Sequence, residues 1–182
     1  MYTVGNACSN ALNDAWGVLT LKERSVKNAA KGGFGQPMLI FTVVAIIYAL
    51  AALLWMPGRF FSVLIGTFIG LFIASFIWFG IIWLFAKMFG GKGAFMDQYK
   101  PMSDALLVDV LSLVPFIGGL VAGIWHIVAS ITIVKTVHKL SSGKAVAAVL
   151  IPVAIILVIG IILAIAAATL FAGMMGSMMG GL

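Results

Sequence analysis

Apolar residues gather into five runs, Met38 to Met56, Phe60 to Ala86, Ala105 to Phe116, Ile117 to Val134 and Ala145 to Phe171, with short polar stretches between them. A membrane crossing needs about 20 consecutive apolar residues as a helix, so four of the runs are long enough to span. The pattern predicts an all-α integral membrane protein with spans near 38–56, 60–86, 102–116, 117–136 and 145–172. The second run is about 40 Å of helix at 1.5 Å per residue and must tilt in a hydrocarbon core of about 30 Å. The third is short. Even started at Met102 it gives only about 22 Å of helix before Pro115 to Gly119 interrupts. It is therefore either a short third span or half of a re-entrant hairpin that turns at Pro115-Phe116-Ile117-Gly118-Gly119.

Upstream of the runs, Ser9 to Ala30 reads as an amphipathic helix lying on the membrane. Leu12, Trp16, Leu19 and Val26 fall on one helical face. Lys22, Arg24, Lys27 and Lys31 crowd the second half, where lipid phosphates favour them. Trp16, Leu19, Lys22, Arg24, Lys27 and Lys31 are thus the expected membrane-surface residues. Gly32, Gly33 and Gly35 end this helix and Pro37 opens the first span. The chain divides accordingly into a cytoplasmic segment, 1–36, and a five-span domain, 37–182. Lys87 to Ser103, with three glycines and Pro101, reads as a flexible connector.

Charge fixes the orientation. Of eleven Lys and Arg residues, only Arg59 lies in the set of connections that faces away from the N-terminus. Positive residues resist translocation, so the N-terminus is expected inside the cell membrane and the C-terminus outside. The composition agrees: 63% of residues are hydrophobic and the mean hydropathy is +1.21. The net charge of +6 points to anionic headgroups rather than nucleic acid, because the basic residues flank the spans.

Little here resembles catalytic chemistry. Cys8 is the sole cysteine, and the two His and five acids have no metal-ligand spacing. No catalytic residue, metal ligand or cofactor is expected. The Met-rich end from Gly173 to Leu182 offers soft thioethers but lacks a His, Cys or acid to complete a site. Two other patterns carry more. Small residues repeat at four-residue spacing, notably Gly66 and Gly70, Gly119 and Gly123, and Gly160, Ala164 and Ala168. In lipid such faces let helix backbones approach, within the chain, between copies or with other membrane proteins. Asp109 and His126 are the strongly polar residues deep in apolar runs. They are equidistant from the turn at Pro115 to Gly119, so an antiparallel hairpin places them at one depth, and a hydrogen bond between them is the natural pairing. The pair serves either as a polar clasp or as a proton or substrate route.

From Gly123-Ile124-Trp125-His126-Ile127-Val128 to Val137-His138-Lys139-Leu140-Ser141-Ser142-Gly143-Lys144-Ala145-Val146, the chain resembles the Yip (Ypt/Rab-interacting protein) family. Met96-Asp97, Asp104-Ala105-Leu106 and Leu113-Val114-Pro115 resemble that family's third-span region. The resemblance covers roughly Pro37 to Phe171 and implies five spans and a cytoplasmic N-terminus. Eukaryotic members are implicated in vesicle traffic through small GTPases. Their Asp-Leu-Tyr-Gly-Pro and Gly-Tyr motifs are absent here, so the chain looks like a prokaryotic relative, and no binding residue is carried over. The reading that follows is a non-enzymatic membrane scaffold that recruits partners. The alternatives are a small transporter or proton conductor built on Asp109 and His126, and an accessory subunit of a larger membrane complex.

Overall fold

The computed structural model describes residues 4–56 and 58–179; the side chains at 4–8, 10, 11, 55 and 176–179, Cys8 and the Met178–Met179 end of the Met-rich segment among them, lie outside the described residues. Among the described residues the chain is helical throughout, in the order α1 (Val4–Leu19), α2 (Glu23–Lys31), α3 (Gly35–Trp55), α4 (Phe60–Met88), α5 (Phe95–Ala105), a 3-10 helix (Leu106–Leu113), α6 (Gly118–His138) and α7 (Ser142–Met179). Among the described residues four helices are long and apolar enough to cross a membrane: Gly35–Leu54, Phe60–Met88, Gly118–His138 and Ser142–Met175. The chain forms two compact units, Met1–Val149 and Leu150–Leu182. The second unit is the continuation of α7, an apolar helix with Pro152 near its start.

The expected single helix over Ser9 to Ala30 is in fact two. α1 ends in a Schellman turn: Lys22 N–H donates to the Gly17 oxygen at 2.9 Å and Leu21 N–H to the Val18 oxygen at 2.9 Å. Leu21 takes the left-handed conformation, φ 59°, that glycine usually supplies. A leucine there gives no sequence signal of a helix end. The two helices then meet closely, since a β-carbon at Gly17 would lie 2.0 Å from the Ser25 hydroxyl.

Nor is Lys87 to Ser103 a flexible connector. α4 closes in its own Schellman turn, with Gly90 at φ 88° and Gly91 N–H bonded to the Ala86 oxygen at 2.9 Å. α5 follows and touches α1, α2, α3, α4 and α6. It is the hub of the first unit. Tyr99 on α5 is fully buried in a cluster of aromatic rings, with Phe76 at 4.9 Å, Phe95 at 5.5 Å and Phe79 at 5.8 Å between centroids. Around it pack Phe41 of α3, Ile82 and Ala86 of α4, Met102 of α5, Ile133 and Val134 of α6, and Ala145 and Ala148 from the start of α7. A smaller cluster joins Ala15 of α1 to Ile40 and Val44 of α3.

The third apolar run is not a regular α-helical span. After α5 the chain tightens into the 3-10 helix, which runs alongside α6 as a hairpin. Phe116, at φ 67°, forms the exposed tip, and Ile117 N–H closes a three-residue turn on the Pro115 oxygen at 2.8 Å.

Candidate functional site

The hairpin register anticipated from the sequence brings its two polar residues together. His126 Nδ1 on α6 lies 3.8 Å from Asp109 Oδ1 on the 3-10 helix. That separation exceeds a hydrogen bond, so the expected direct bond is replaced by a looser polar contact. The His126 Nε2 atom is buried with no hydrogen-bond partner among the described residues, and its ring faces Phe79 at 6.0 Å. What fixes the Asp109 segment is its backbone. The Asp109 carbonyl oxygen lies within hydrogen-bond reach of the Tyr48 hydroxyl of α3 at 2.8 Å and of the Ser112 hydroxyl at 2.6 Å, and the two hydroxyls within reach of each other, so their two protons are shared among three contacts. Beside them opens a cleft of about 430 Å³, lined by Val44, Tyr48, Thr67, Gly70, Leu71, Asp109 and Ser112. A carboxylate, three hydroxyls and a nearby imidazole can hold and pass a proton, given a closure of about 1 Å between Asp109 and His126 to reach hydrogen-bond range.

A second polar centre, at the other end of α6, escaped the sequence reading. Gln98 of α5 and His138 of α6 are both fully buried, and His138 Nε2 donates to Gln98 Oε1 at 2.8 Å. The direction follows from the amide: Gln98 Nε2 is itself a donor, to the Phe79 oxygen at 3.0 Å and the Met102 sulfur at 3.3 Å. The proton therefore sits on Nε2, and the buried Nδ1 has no partner among the described residues. The glycine loop encloses this ring. A β-carbon at Gly91 would lie 2.5 Å from His138 Nδ1, and one at Gly93 would lie 2.6 Å from Val137 Cγ1. The run of glycines, read as flexibility, is there for close packing.

The N-terminal helices are bonded to this body at several points. Trp125 Nε1 of α6 donates to the Leu19 oxygen at 3.0 Å, and Lys100 Nζ of α5 donates to the Ala30 oxygen at 2.8 Å. Val26 and Ala29 are buried, whereas Trp16 is 66% exposed, so Trp16 and Val26 do not share one lipid-facing stripe. Lys22, Arg24, Lys27 and Lys31 are all exposed and Leu19 is half-buried. At the start of α3, Gln36 Nε2 donates to Asp104 Oδ2 at 2.7 Å. Burial, reinforced by Asp14 and opposed by the Gln36 bond, pushes the Asp104 carboxyl up to about 8. Burial likewise raises the Tyr99 phenol, against hydrogen bonds from Ser75 and Ser103.

The small-residue faces stand open in the single chain, which leaves copies or other membrane proteins as the partners they would pack against. Among the described residues nothing lies within 4 Å of a β-carbon built at Gly66, Gly70 or Gly123, and the Ser112 β-carbon alone reaches Gly119, at 4.0 Å. Gly160 is equally open, and Ala164 and Ala168 are exposed. Among the described residues no group of three or more His, Cys, Asp or Glu is placed to hold a metal ion.

Long apolar helices, a helical hairpin with a polar pair, and a basic end define a multi-pass α-helical membrane protein. The chain belongs to the Yip1 domain family, whose model matches residues 16–165. The resemblance seen in the apolar segments is thereby established, and the match begins near the end of α1, so it takes in α2 as well. Comparisons with curated proteins and with solved structures give no match to either.

Proposed function

We propose that this Yip1 domain protein is a non-enzymatic scaffold that recruits partners at the cytoplasmic face of the cell membrane. The observation that carries this reading is the docking of α1 and α2 onto α5 and α6. Through the Trp125–Leu19 and Lys100–Ala30 bonds, α1 and α2 are held as a basic platform. Lys22, Arg24, Lys27 and Lys31 on that platform are exposed, as are Lys87 in the last turn of α4 and Lys92 of the α4–α5 connection. In this arrangement five segments enter the membrane, the third being the short 3-10 hairpin arm, with the N-terminus inside and the C-terminus outside. The open faces at Gly66, Gly70, Gly123, Gly160, Ala164 and Ala168 suit self-association or contact with other membrane proteins, including a role as accessory subunit.

Photo-crosslinking side chains at Arg24 and Lys92, with Arg59 as the control on the opposite face, test the proposal in intact membranes. The same discrete partner should be captured from Arg24 and Lys92 and not from Arg59. Capture from Arg59 alone would overturn the platform.

One observation favours a second reading. The cleft beside Asp109 gives a partly exposed carboxyl, with a side chain 30% accessible, close to an imidazole. A proton or ion route there predicts that Asp109→Asn keeps the fold but stops flux in reconstituted vesicles. Such a result would replace the scaffold with a transporter.

A further inference from the structure

Where α2, α5 and the last turn of α6 converge, a cavity of about 480 Å³ opens, lined by Lys27, Ala30, Lys31, Asp97, Lys100, Thr136, Val137 and Lys139. Its volume falls in the range of roughly 300–1,000 Å³ typical of small-ligand sites. Four lysines and one aspartate give it a net charge of 4 − 1 = +3. The C-terminal ends of α2 and α6 also face it, each worth about −0.5 charge, which still leaves an excess near +2. No acid in the lining other than Asp97 offsets it. Lys100 donates one of its protons to the Ala30 oxygen and keeps two for a ligand. Thr136 lines the same wall, and its hydroxyl is without a hydrogen-bond partner among the described residues. Lys139 adopts φ 54° at the C-cap of α6. A lysine is held there in a conformation that a glycine would adopt without strain.

We infer that this cavity binds the phosphate-bearing headgroup of an anionic membrane phospholipid. Depth selects the source of the phosphate: Lys139 directly follows the membrane-crossing helix Gly118–His138, so the cavity stands at headgroup level. A phosphate with its ester chain pointing along α6 meets ammonium groups from α2, α5 and the C-cap of α6, and no single surface lysine could match that. The inference rests on the proposed orientation only for the leaflet concerned, which fusion reporters determine independently.

The test uses the full chain, purified in detergent, stripped of lipid and kept at about 0.15 M salt, where exposed charges are screened beyond roughly 8 Å. A short-chain phosphatidylglycerol, the matching phosphatidylcholine and inorganic phosphate are each titrated while the unfolding temperature is followed. The anionic lipid should raise it saturably and the zwitterionic lipid should not. Replacing the cavity cations (Lys27→Gln, Lys31→Gln, Lys139→Gly) should weaken the apparent affinity by one to two orders of magnitude, at roughly fivefold per lysine. Lys139→Gly removes the left-handed lysine, so the variant is expected to fold. The control triple Arg59→Gln, Lys135→Gln, Lys144→Gln removes equal charge outside both the cavity and the platform and should leave the affinity within about twofold. Equal loss in both triples would reduce the cavity to part of a general basic collar. Equal stabilisation by inorganic phosphate would make it a site for a free anion. Either result overturns the assignment, as does the absence of any saturable response to the anionic lipid.

Discussion

Gly118 stands so close to Leu111 that a β-carbon built on it would lie 1.8 Å from the Leu111 carbonyl oxygen and 2.8 Å from its carbonyl carbon. Both obstructing atoms are backbone, so no rotamer can make room. Gly118→Ala is therefore expected to push the 3-10 helix off α6 and to lower stability by about 1–3 kcal/mol or more. Gly123→Ala on the same helix meets nothing within 4 Å and should be neutral or slightly stabilising. Thermal unfolding of the two variants in detergent makes the comparison. Equal behaviour would contradict the hairpin geometry.

The Gln98–His138 bond predicts a coupled loss. Gln98→Leu leaves the His138 Nε2–H without its acceptor and should cost about 1–3 kcal/mol. Gly91→Ala should also destabilise, because its β-carbon would meet His138 Nδ1 at 2.5 Å and the Ala86 oxygen at 2.7 Å. Combining Gly91→Ala with His138→Ala relieves the first clash but not the second. The double variant should then be less damaged than the sum of its parts. Strict additivity in denaturation experiments would count against this packing.

Asp104 sets a pH dependence. Its folded-state value of about 8 lies above the unfolded value near 4. The native protein thus holds a proton that the unfolded chain releases. The contribution is fully present below about pH 4, declines as pH rises, and is lost above about 8, with a slope of at most about 1.4 kcal/mol per pH unit. Asp104→Asn keeps an acceptor for Gln36 and carries no charge. It should flatten the unfolding temperature between pH 5 and 8 and raise it most at the alkaline end. A variant that keeps the wild-type slope would remove Asp104 as its source.

Asp109 and His126 should behave as a clasp even without a direct hydrogen bond. At 3.8 Å each still shields the other from an apolar setting, so Asp109→Leu and His126→Leu should each destabilise. The double change should recover part of the loss, with a coupling of about 0.5–3 kcal/mol. Tyr48→Phe removes the hydroxyl bonded to the Asp109 carbonyl oxygen and should lower stability independently of His126. Unfolding midpoints for the full set decide the matter. A coupling of zero would leave Asp109 free for another role.

Local composition alone determined the membrane-crossing helices, because twenty apolar side chains in a row have one favourable solvent and need no partner to specify it. It also determined the hairpin, since Pro115 to Gly119 sets the turn and equal spacing then puts Asp109 and His126 at one depth. The tertiary structure decided the rest. α5 was unreadable as the hub because its buried polar residues, Gln98 and Asp104, look like surface residues until His138 and Gln36 arrive from 40 and 68 positions away. The break between α1 and α2 was hidden because Leu21, not a glycine, takes the left-handed turn. The glycines at 91 and 93 announce freedom in a sequence, yet against a packed histidine they mean the opposite. The lysines of the cavity came from α2, α5 and the C-cap of α6, each of which read as a separate basic flank. Only folding converts repelling charges on distant segments into a single site, because charge adds in space and not along the chain.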